Sequence, residues 1–444
     1  MTYSVEADLI ASLPPGWHHR RLKEVSDVIP SNVDKLSVDG QAAVRLCNYV
    51  DTYKNERITA SIDFMSATAT QAQIERLSLK KGDITITKDS ESPWDIAVPA
   101  FISEDVEGLV CGYHLSKIAP EAGVMDGGYL SWALRSKPVN LQFALAAQGI
   151  TRYGLSSSAL ADGVVPCPPH NEQLAIASYL DIETARIDGL IEEKKYLLDS
   201  LTELKSTRIT EIVTGQDLAA QPTGDVWLPK IPKGWSLKRL KYLGQVRSGL
   251  AKGKKNDAGT TTVERPYMRV ANVQDGYIDL RDVSVIEVAE NEVDRYALKI
   301  GDVLMNEGGD YDKVGRGAMW EGLVEECLHQ NHVFAVRLDD IEWAPWLAAV
   351  TRTSYAKFYF MNNSKQSTNL ASINQTNVKE FPVVLPPASK RDALLDTLTA
   401  ELKRIDDLTQ HVKRELDVLA EFRSATITDA VLGRLDVSHH LKIE

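Results

Sequence analysis

The sequence predicts an α+β chain built twice over. Two similar globular domains with β-rich cores are joined by two long helices that pair as an antiparallel intramolecular coiled coil. Three observations predict this. Motifs recur in the same order about 218 residues apart, each half reaches a Pro-Pro stop and then a long stretch free of proline, and each of those stretches carries apolar residues at heptad spacing.

The repeat comes first because every later boundary depends on it. LPPGWHHRRLK begins at Leu13 and IPKGWSLKRLK at Ile231, an offset of 218. The same offset aligns VVPCPP, ending at Pro169, with VVLPP, ending at Pro387. It also aligns Arg186-Ile187-Asp188 with Arg404-Ile405-Asp406, and RITEIVTG, ending at Gly215, with TITDAVLG, ending at Gly433. LKKGD (Leu79–Asp83) matches LKIGD (Leu298–Asp302) at 219, and RLCN (Arg45–Asn48) matches RVAN (Arg269–Asn272) at 224. The drift implies loops of different length that later compensate. An ordered series of this kind points to duplication. The expected organisation is a globular domain over 1–169, a helix over 170–216, a second globular domain over 217–387, a second helix over 388–437 and a tail over 438–444. The globular parts hold short β-like runs such as DITIT and HVFAVRL between turn residues.

The helices follow from their seams. Leu180, Thr184, Ile187, Ile191, Lys194, Leu198 and Leu201 alternate in steps of four and three, and adding 218 gives Leu398, Leu402, Ile405, Thr409, Val412, Leu416 and Leu419. That is an a/d seam. A helix over 171–213 would be roughly 65 Å long at 1.5 Å per residue and needs a partner along its length. The other copy in the same chain is the expected partner, a second chain the alternative. Lys194 and Thr409 are polar seam positions that either set the register or mark a wider part of the pair. A pseudo-two-fold relation between the copies makes the pair antiparallel and turns it into a ruler between the globular parts.

Composition limits the function. The chain has 444 residues, is 43% hydrophobic, and contains no run near the roughly 18 apolar residues that a membrane helix needs. Its N-terminus lacks the features of a secretory signal. Cys47, Cys111, Cys167 and Cys327 are scattered and read as buried thiols in a reducing cytoplasm. The net charge of −12 argues against a free-standing, tight DNA binder, because phosphate must be neutralised. It permits local basic patches with a partner that shares the duplex.

No catalytic constellation is found. Gly249 to Lys255 resembles a P-loop only loosely, with three residues between the glycines and Lys255 where a Mg-binding hydroxyl should stand. Cys327, His329 and His332 could hold a metal. A turn with ordinary histidines is the simpler reading, because His114, which matches His332, sits in CGYHL without the other His, so a hydrogen bond inside each domain explains the match better. No metal site is therefore assigned. The strongest candidates are for DNA. Nine basic residues and no acidic one lie between Lys230 and Asn256, including Arg247, Lys252, Lys254 and Lys255. Glycine-flanked lysines suit phosphate contact, while Asn and Gln suit adenine edges. The latter suggests Lys365, Gln366 and Asn369 in the second half and Gln148, Arg152 and Tyr153 in the first. Arg45 with Asn48, and Arg269 with Asn272, form a third repeated polar pair, read either as a DNA contact or as a shared strand-end hydrogen bond.

The GW-x3-RLK openings at Gly16-Trp17 and Gly234-Trp235, and the PPHNEQLAIASYLD and LPPASKRDALLDTLTAEL segments that start the helices, resemble the specificity subunits of type I restriction–modification systems. The second copy departs from the Pro-Pro-x-x-Glu-Gln form with Lys390 and Arg391, which puts the geometry of that helix start in question. The resemblance implies two target-recognition domains that read a bipartite, asymmetric double-stranded DNA site. It implies two modification subunits that methylate adenine N6 and two ATP-dependent restriction subunits as partners. S-adenosylmethionine, ATP and Mg then belong to those partners, with no cofactor on this chain. A non-catalytic coiled-coil scaffold, or a specificity chain in a methylation-only complex, is the alternative.

Overall fold

The structure, a computed structural model, describes residues 13–216, 218–253, 260–367 and 370–437. They form two compact units: unit 1 comprises residues up to 194 together with those from 414, and unit 2 comprises 195–413. Each unit takes half of each long helix.

In chain order, unit 1 contains β1 (His18–Arg21), α1 (Leu22–Val25), β2 (Ser26–Pro30), β3 (Ala42–Cys47), α2 (Tyr49–Lys54), β4 (Arg57–Ile58), β5 (Met65–Ala69), α3 (Gln71–Leu77), β6 (Ile84–Thr87), β7 (Asp89–Ser90), β8 (Pro99–Ile102), β9 (Leu109–Cys111), β10 (Leu115–Pro120), α4 (Gly127–Arg135), α5 (Lys137–Ala146), β11 (Gln148–Gly149), β12 (Tyr153–Gly154), α6 (Ser157–Ala161) and β13 (Val164–Cys167). The first long helix, α7 (His170–Thr214), follows. Unit 2 continues with β14 (Ala220–Pro222), β15 (Lys230–Pro232), β16 (Ser236–Arg239), β17 (Gly244–Ser248), β18 (Thr262–Met268), β19 (Ser284–Ala289), α8 (Val293–Tyr296), β20 (Val303–Asn306), β21 (Gly308–Gly309), β22 (Gly317–Met319), β23 (Leu328–His329), β24 (Val333–Leu338), α9 (Ala344–Thr351), α10 (Ser354–Asn362), β25 (Lys365–Gln366), β26 (Ala371–Ser372), α11 (Gln375–Lys379) and β27 (Pro382–Leu385). The second long helix is α12 (Ala388–Val431).

The duplication is visible strand by strand. Unit 1 has a sheet ordered β2-β10-β6-β8-β4, and unit 2 has β17-β24-β20-β22. The triplet β5-β3-β9 answers to β19-β18-β23, β11-β12-β7 to β25-β26-β21, and β1-β13 to β16-β27. Strand β4 has no partner in this series, and β14-β15 is particular to unit 2.

Register corrects one expected match. Strand β3 runs parallel to β9 with Cys47 beside Cys111, and β18 runs parallel to β23 with Met268 beside His329. Cys111 and His329 differ by 218, whereas Cys47 and Met268 differ by 221. Asn48, not Arg45, therefore stands where Arg269 stands, so the RLCN and RVAN motifs do not superpose. The shared feature is a capping box: the Asn48 N–H donates to Asp51 at 2.8 Å, and the Arg269 N–H donates to Asn272 at 2.9 Å.

Both cores use the long helices. In unit 1, Ile84, Ile86, Tyr129 and Phe143 pack with Leu180 from α7 and with Ile427 and Val431 from α12. In unit 2, Trp346, Phe334, Phe360 and Phe381 pack with Ile209 and Val213 from α7 and Leu398 from α12. The repeated Gly-Trp openings meet the glycines that end these helices. A methyl group on Gly433 would lie 2.5 Å from Pro14 and 2.9 Å from Trp17, and one on Gly215 would lie 2.5 Å from Pro232. Both glycines also have positive φ, +66° and +63°, which a side chain disfavours.

Within unit 1, Lys194 bridges to Glu415 at 2.7 Å and Asp188 to Arg423 at 2.8 Å. Within unit 2, Lys205 bridges to Asp406 at 2.6 Å and Arg208 to Glu401 at 3.6 Å. Numbers fall along one helix as they rise along the other, so the pairing is antiparallel and lies within one chain. Thr184, Ile187, Leu201, Ile405 and Val412 are buried, with Leu198 packed beside the last three. Ile191, Leu402, Thr409, Leu416 and Leu419 are half-buried.

The two helix starts differ as their sequences do. Gln173 is buried and ties Asp126 N–H, Val124 O and Pro168 O to the start of α7. Its counterpart Arg391 bonds Glu342 at 3.1 Å and lies 5.0 Å over the Trp343 ring. A cation on a carboxylate and an aromatic face thus replaces an amide network, and both helices still form.

Candidate nucleic-acid interface

The hairpin candidates sit on equivalent small sheets. In unit 1, β11 pairs with β12 and β12 pairs with β7. Gly149 makes the turn possible, since a Cβ there would lie 2.0 Å from the Arg152 carbonyl oxygen. The three-residue tip exposes Ile150 and Arg152, Gln148 is exposed at the base, and Tyr153 is half-buried. In unit 2, β25 pairs with β26 and exposes both Lys365 and Gln366. Lys365 faces Ser372, just as Gln148 faces Gly154. The position structurally equivalent to Gln148 is therefore Lys365, and the Gln148–Gln366 alignment slips by one residue.

The remaining candidates divide sharply. Lys252 is exposed in the turn after β17; Lys254, Lys255 and Asn369 lie outside the described residues. Arg247 is half-buried and donates to the Arg295 carbonyl, while burial and nearby Arg337 push its pKa down. One of its guanidinium N–H groups is thus used within the fold. Asn272 is buried, with its amide donating to Asp279 O at 2.8 Å and Asp282 O at 2.9 Å. It holds a turn and has no edge left for a base. Asn48 likewise spends its side-chain oxygen capping α2 on Val50 and Asp51 N–H groups. Arg269 pairs with Asp282 at 2.8 Å, and Arg45 is exposed on β3. Gly249 serves the fold, because a Cβ there would stand 2.0 Å from the His329 carbonyl oxygen.

The structure adds a tyrosine pair that the sequence reading did not single out, and it places the histidines that the reading did. Tyr49 and Tyr53 stack on α2 with ring centroids 5.6 Å apart and planes 13° from parallel. They line a cavity of about 420 Å³ with Asp95, Glu91 and Arg152. Their i,i+4 spacing was a readable signal. Behind each hairpin stands a histidine on a carboxylate: His114 Nδ1 on Asp89, and His332 Nδ1 on Glu307 at 2.9 Å. His329, the last residue of β23, is buried with Nδ1 2.7 Å from Val333 O, and burial pushes its pKa down to about 4. Cys327 is buried too, its thiol pushed up to about 12. Among the described residues, no group of three or more His, Cys, Asp or Glu is placed to hold a metal ion, and no helix is long and apolar enough to cross a membrane.

Residues 232–417 match the model of the type I restriction modification DNA specificity domain. Over these residues the chain is similar to the type I specificity family. Among curated relatives, the putative type I restriction enzyme MjaX specificity subunit of Methanocaldococcus jannaschii is 28% identical over 43% of this chain and 44% of its own length. The EcoKI specificity subunit of Escherichia coli is 24% identical over 61% of this chain and 57% of its own. The matches thus span about half the length of these specificity subunits. The fold is shared more widely. A chain from a solved type I restriction–modification system has a TM-score of 0.71 at 16% identity, covering 95% of this chain and 99% of that one. The domain match falls mainly on unit 2, and unit 1 repeats that unit's strand order.

Proposed function

We propose that this chain is the non-catalytic DNA-reading subunit of a type I restriction–modification complex. Unit 1 and unit 2 each read one half of a bipartite, asymmetric double-stranded site. Two partner modification subunits, carrying S-adenosylmethionine, methylate adenine N6 there, with the target base rotated out of the stack. Two restriction subunits supply ATP- and Mg-dependent cleavage, and the complex works in the cytoplasm. The observation that carries this reading is one frame bearing two sets of side chains: equivalent hairpins expose Gln148 and Arg152 in unit 1 and Lys365 and Gln366 in unit 2. Equal frames with unequal tips suit two different short sequences. Partners that surround the duplex share phosphate neutralisation and make the net charge of −12 compatible with binding.

The test is single-molecule sequencing of N6-methyladenine in cells expressing the partner methyltransferase with and without this chain. A gapped, asymmetric methylated motif that depends on the chain is expected. Methylation that ignores the chain overturns the reading.

A further inference from the structure

The two histidines behind the hairpins are built alike, although the residues around them differ. In unit 1 the His114 carbonyl accepts Lys88 N–H at 3.1 Å, and its ring meets Asp89, a residue of β7. In unit 2 the His332 carbonyl accepts Glu307 N–H at 2.9 Å, and its ring meets Glu307, directly before β21. β7 and β21 are the strands on which the two hairpins rest. Both rings remain open to solvent, with side-chain exposures of 34% and 55%. His114 also holds φ at +72°, a conformation that costs a non-glycine residue on the order of 1 kcal/mol.

The carboxylates define the chemistry of the exposed nitrogen. An ionised carboxylate only accepts, so Nδ1 carries the hydrogen, and in the neutral ring Nε2 is then an acceptor. In unit 2 that nitrogen already faces a donor of the expected kind: Asn331 Nδ2, an amide NH2, lies 3.4 Å from His332 Nε2. The exocyclic amino groups of adenine N6 and cytosine N4 present the same donor in the major groove.

We propose that His114 and His332 are base-reading residues, one in each half-site, whose Nε2 accepts from the amino group of an adenine or cytosine. Asp89 and Glu307 are their positioning residues, which hold the tautomer that makes Nε2 an acceptor. This rests on the DNA-reading function above and adds to it the class of base edge that is read. An acceptor at a fixed place separates an amino base from a keto base on the contacted strand, and so a base pair from its reversal.

The test uses the complete chain co-expressed with its methyltransferase, with methylated motifs read by sequencing. His332→Ala should relax one position of one half-site about tenfold, where the wild type demands adenine or cytosine, and leave the other half-site unchanged. His114→Ala should do the same in the opposite half-site. Glu307→Gln is the sharper variant, because the amide can donate to Nδ1 and free Nε2 to carry the hydrogen. Preference at the same position should then move toward guanine or thymine, a change that a merely structural role would not produce. Melting curves on each variant separate misfolding from misreading, and the exposed His332 and half-buried Glu307 keep the test open should His114→Ala unfold. Unchanged motifs in His332→Ala and Glu307→Gln, with wild-type methylation intact, overturn this inference alone. Relaxation at a position that demands a keto base overturns it as well. Failure of the wild-type chain to direct methylation overturns the reading beneath it.

Discussion

Unit 1 and unit 2 solve the same folding problem with different atoms, and the LKKGD and LKIGD motifs show how. In both, the aspartate closes a turn by accepting a backbone N–H: Asp83 from Lys80, Asp302 from Lys299. In both it also neutralises a cation from a neighbouring strand. Unit 1 uses Lys117 of β10 at 3.0 Å, with both side chains about one-tenth exposed. Unit 2 uses Arg337 of β24, which grips Asp302 bidentately at 2.8 and 2.6 Å and keeps 27% of its side chain exposed. Divergence has thus preserved the acceptor while the donor changed in kind and in strand position. The same holds at the helix starts, where Gln173 and Arg391 do one job by different chemistry.

The largest expected effect tests whether burial or geometry dominates these pairs. Asp83→Ala strands the Lys117 ammonium in a nearly closed site and should cost about 3–5 kcal/mol. Asp302→Ala leaves a guanidinium with partial access to water and should cost roughly 2 kcal/mol. Urea unfolding of both variants measures the order. A larger loss for Asp302→Ala would mean that bidentate geometry outweighs burial, and the comparison would have to be redrawn.

The second effect uses acid. His329 of unit 2 occupies the place that Cys111 fills in unit 1. Burial lowers the folded His329 pKa to about 4, against about 6.5 for an ordinary imidazole. The unfolded chain therefore takes the proton first. This contribution to stability is present above about pH 6.5 and is lost as pH falls toward 4, by about 3 kcal/mol in all. Unit 1 has no such group at that place, since burial raises the Cys111 pKa and keeps it a neutral thiol. Hydrogen exchange followed from pH 7 to 4 should show unit 2 weakening in this window, and His329→Cys should remove that term. An identical acid response in His329→Cys would place the lability elsewhere.

How much of this was legible depended on how many residues carried each signal. The long helices were legible because seven seam positions recur in two copies, and seam burial follows that period through Leu180, Leu201, Ile405 and Val412. The Gly-Trp openings were legible as a repeat but not as a contact, because Gly433 and Trp17 lie at opposite ends of the sequence. Four-residue matches failed. RLCN and RVAN look alike, yet Asn48 caps a helix as the residue after its strand, while Asn272 is buried three positions later. Polar residue type could not tell an exposed amide, such as Gln366, from one closing a turn, such as Asn272. His114 and Asp89 are 25 residues apart, and only strand pairing brings them together.

The smallest expected effects separate the two kinds of contact on unit 2. Gln366 and Lys252 are both exposed, but they differ in what they can tell apart. An amide has a donor and an acceptor in fixed relation and can select a base edge, so Gln366→Ala should cost about 1–2 kcal/mol of discrimination at one position of one half-site. An ammonium is a point charge with no directional code. Lys252→Ala should therefore weaken binding only a few-fold, equally for cognate and mismatched DNA, and lower the slope of log affinity against log salt by about 1. Titrations of the assembled complex on both DNAs at several salt concentrations measure the two quantities together. Loss of discrimination in Lys252→Ala with the salt slope unchanged would place that lysine at a base edge, and the basic turn would then belong to the reading surface of unit 2 instead of its phosphate anchor.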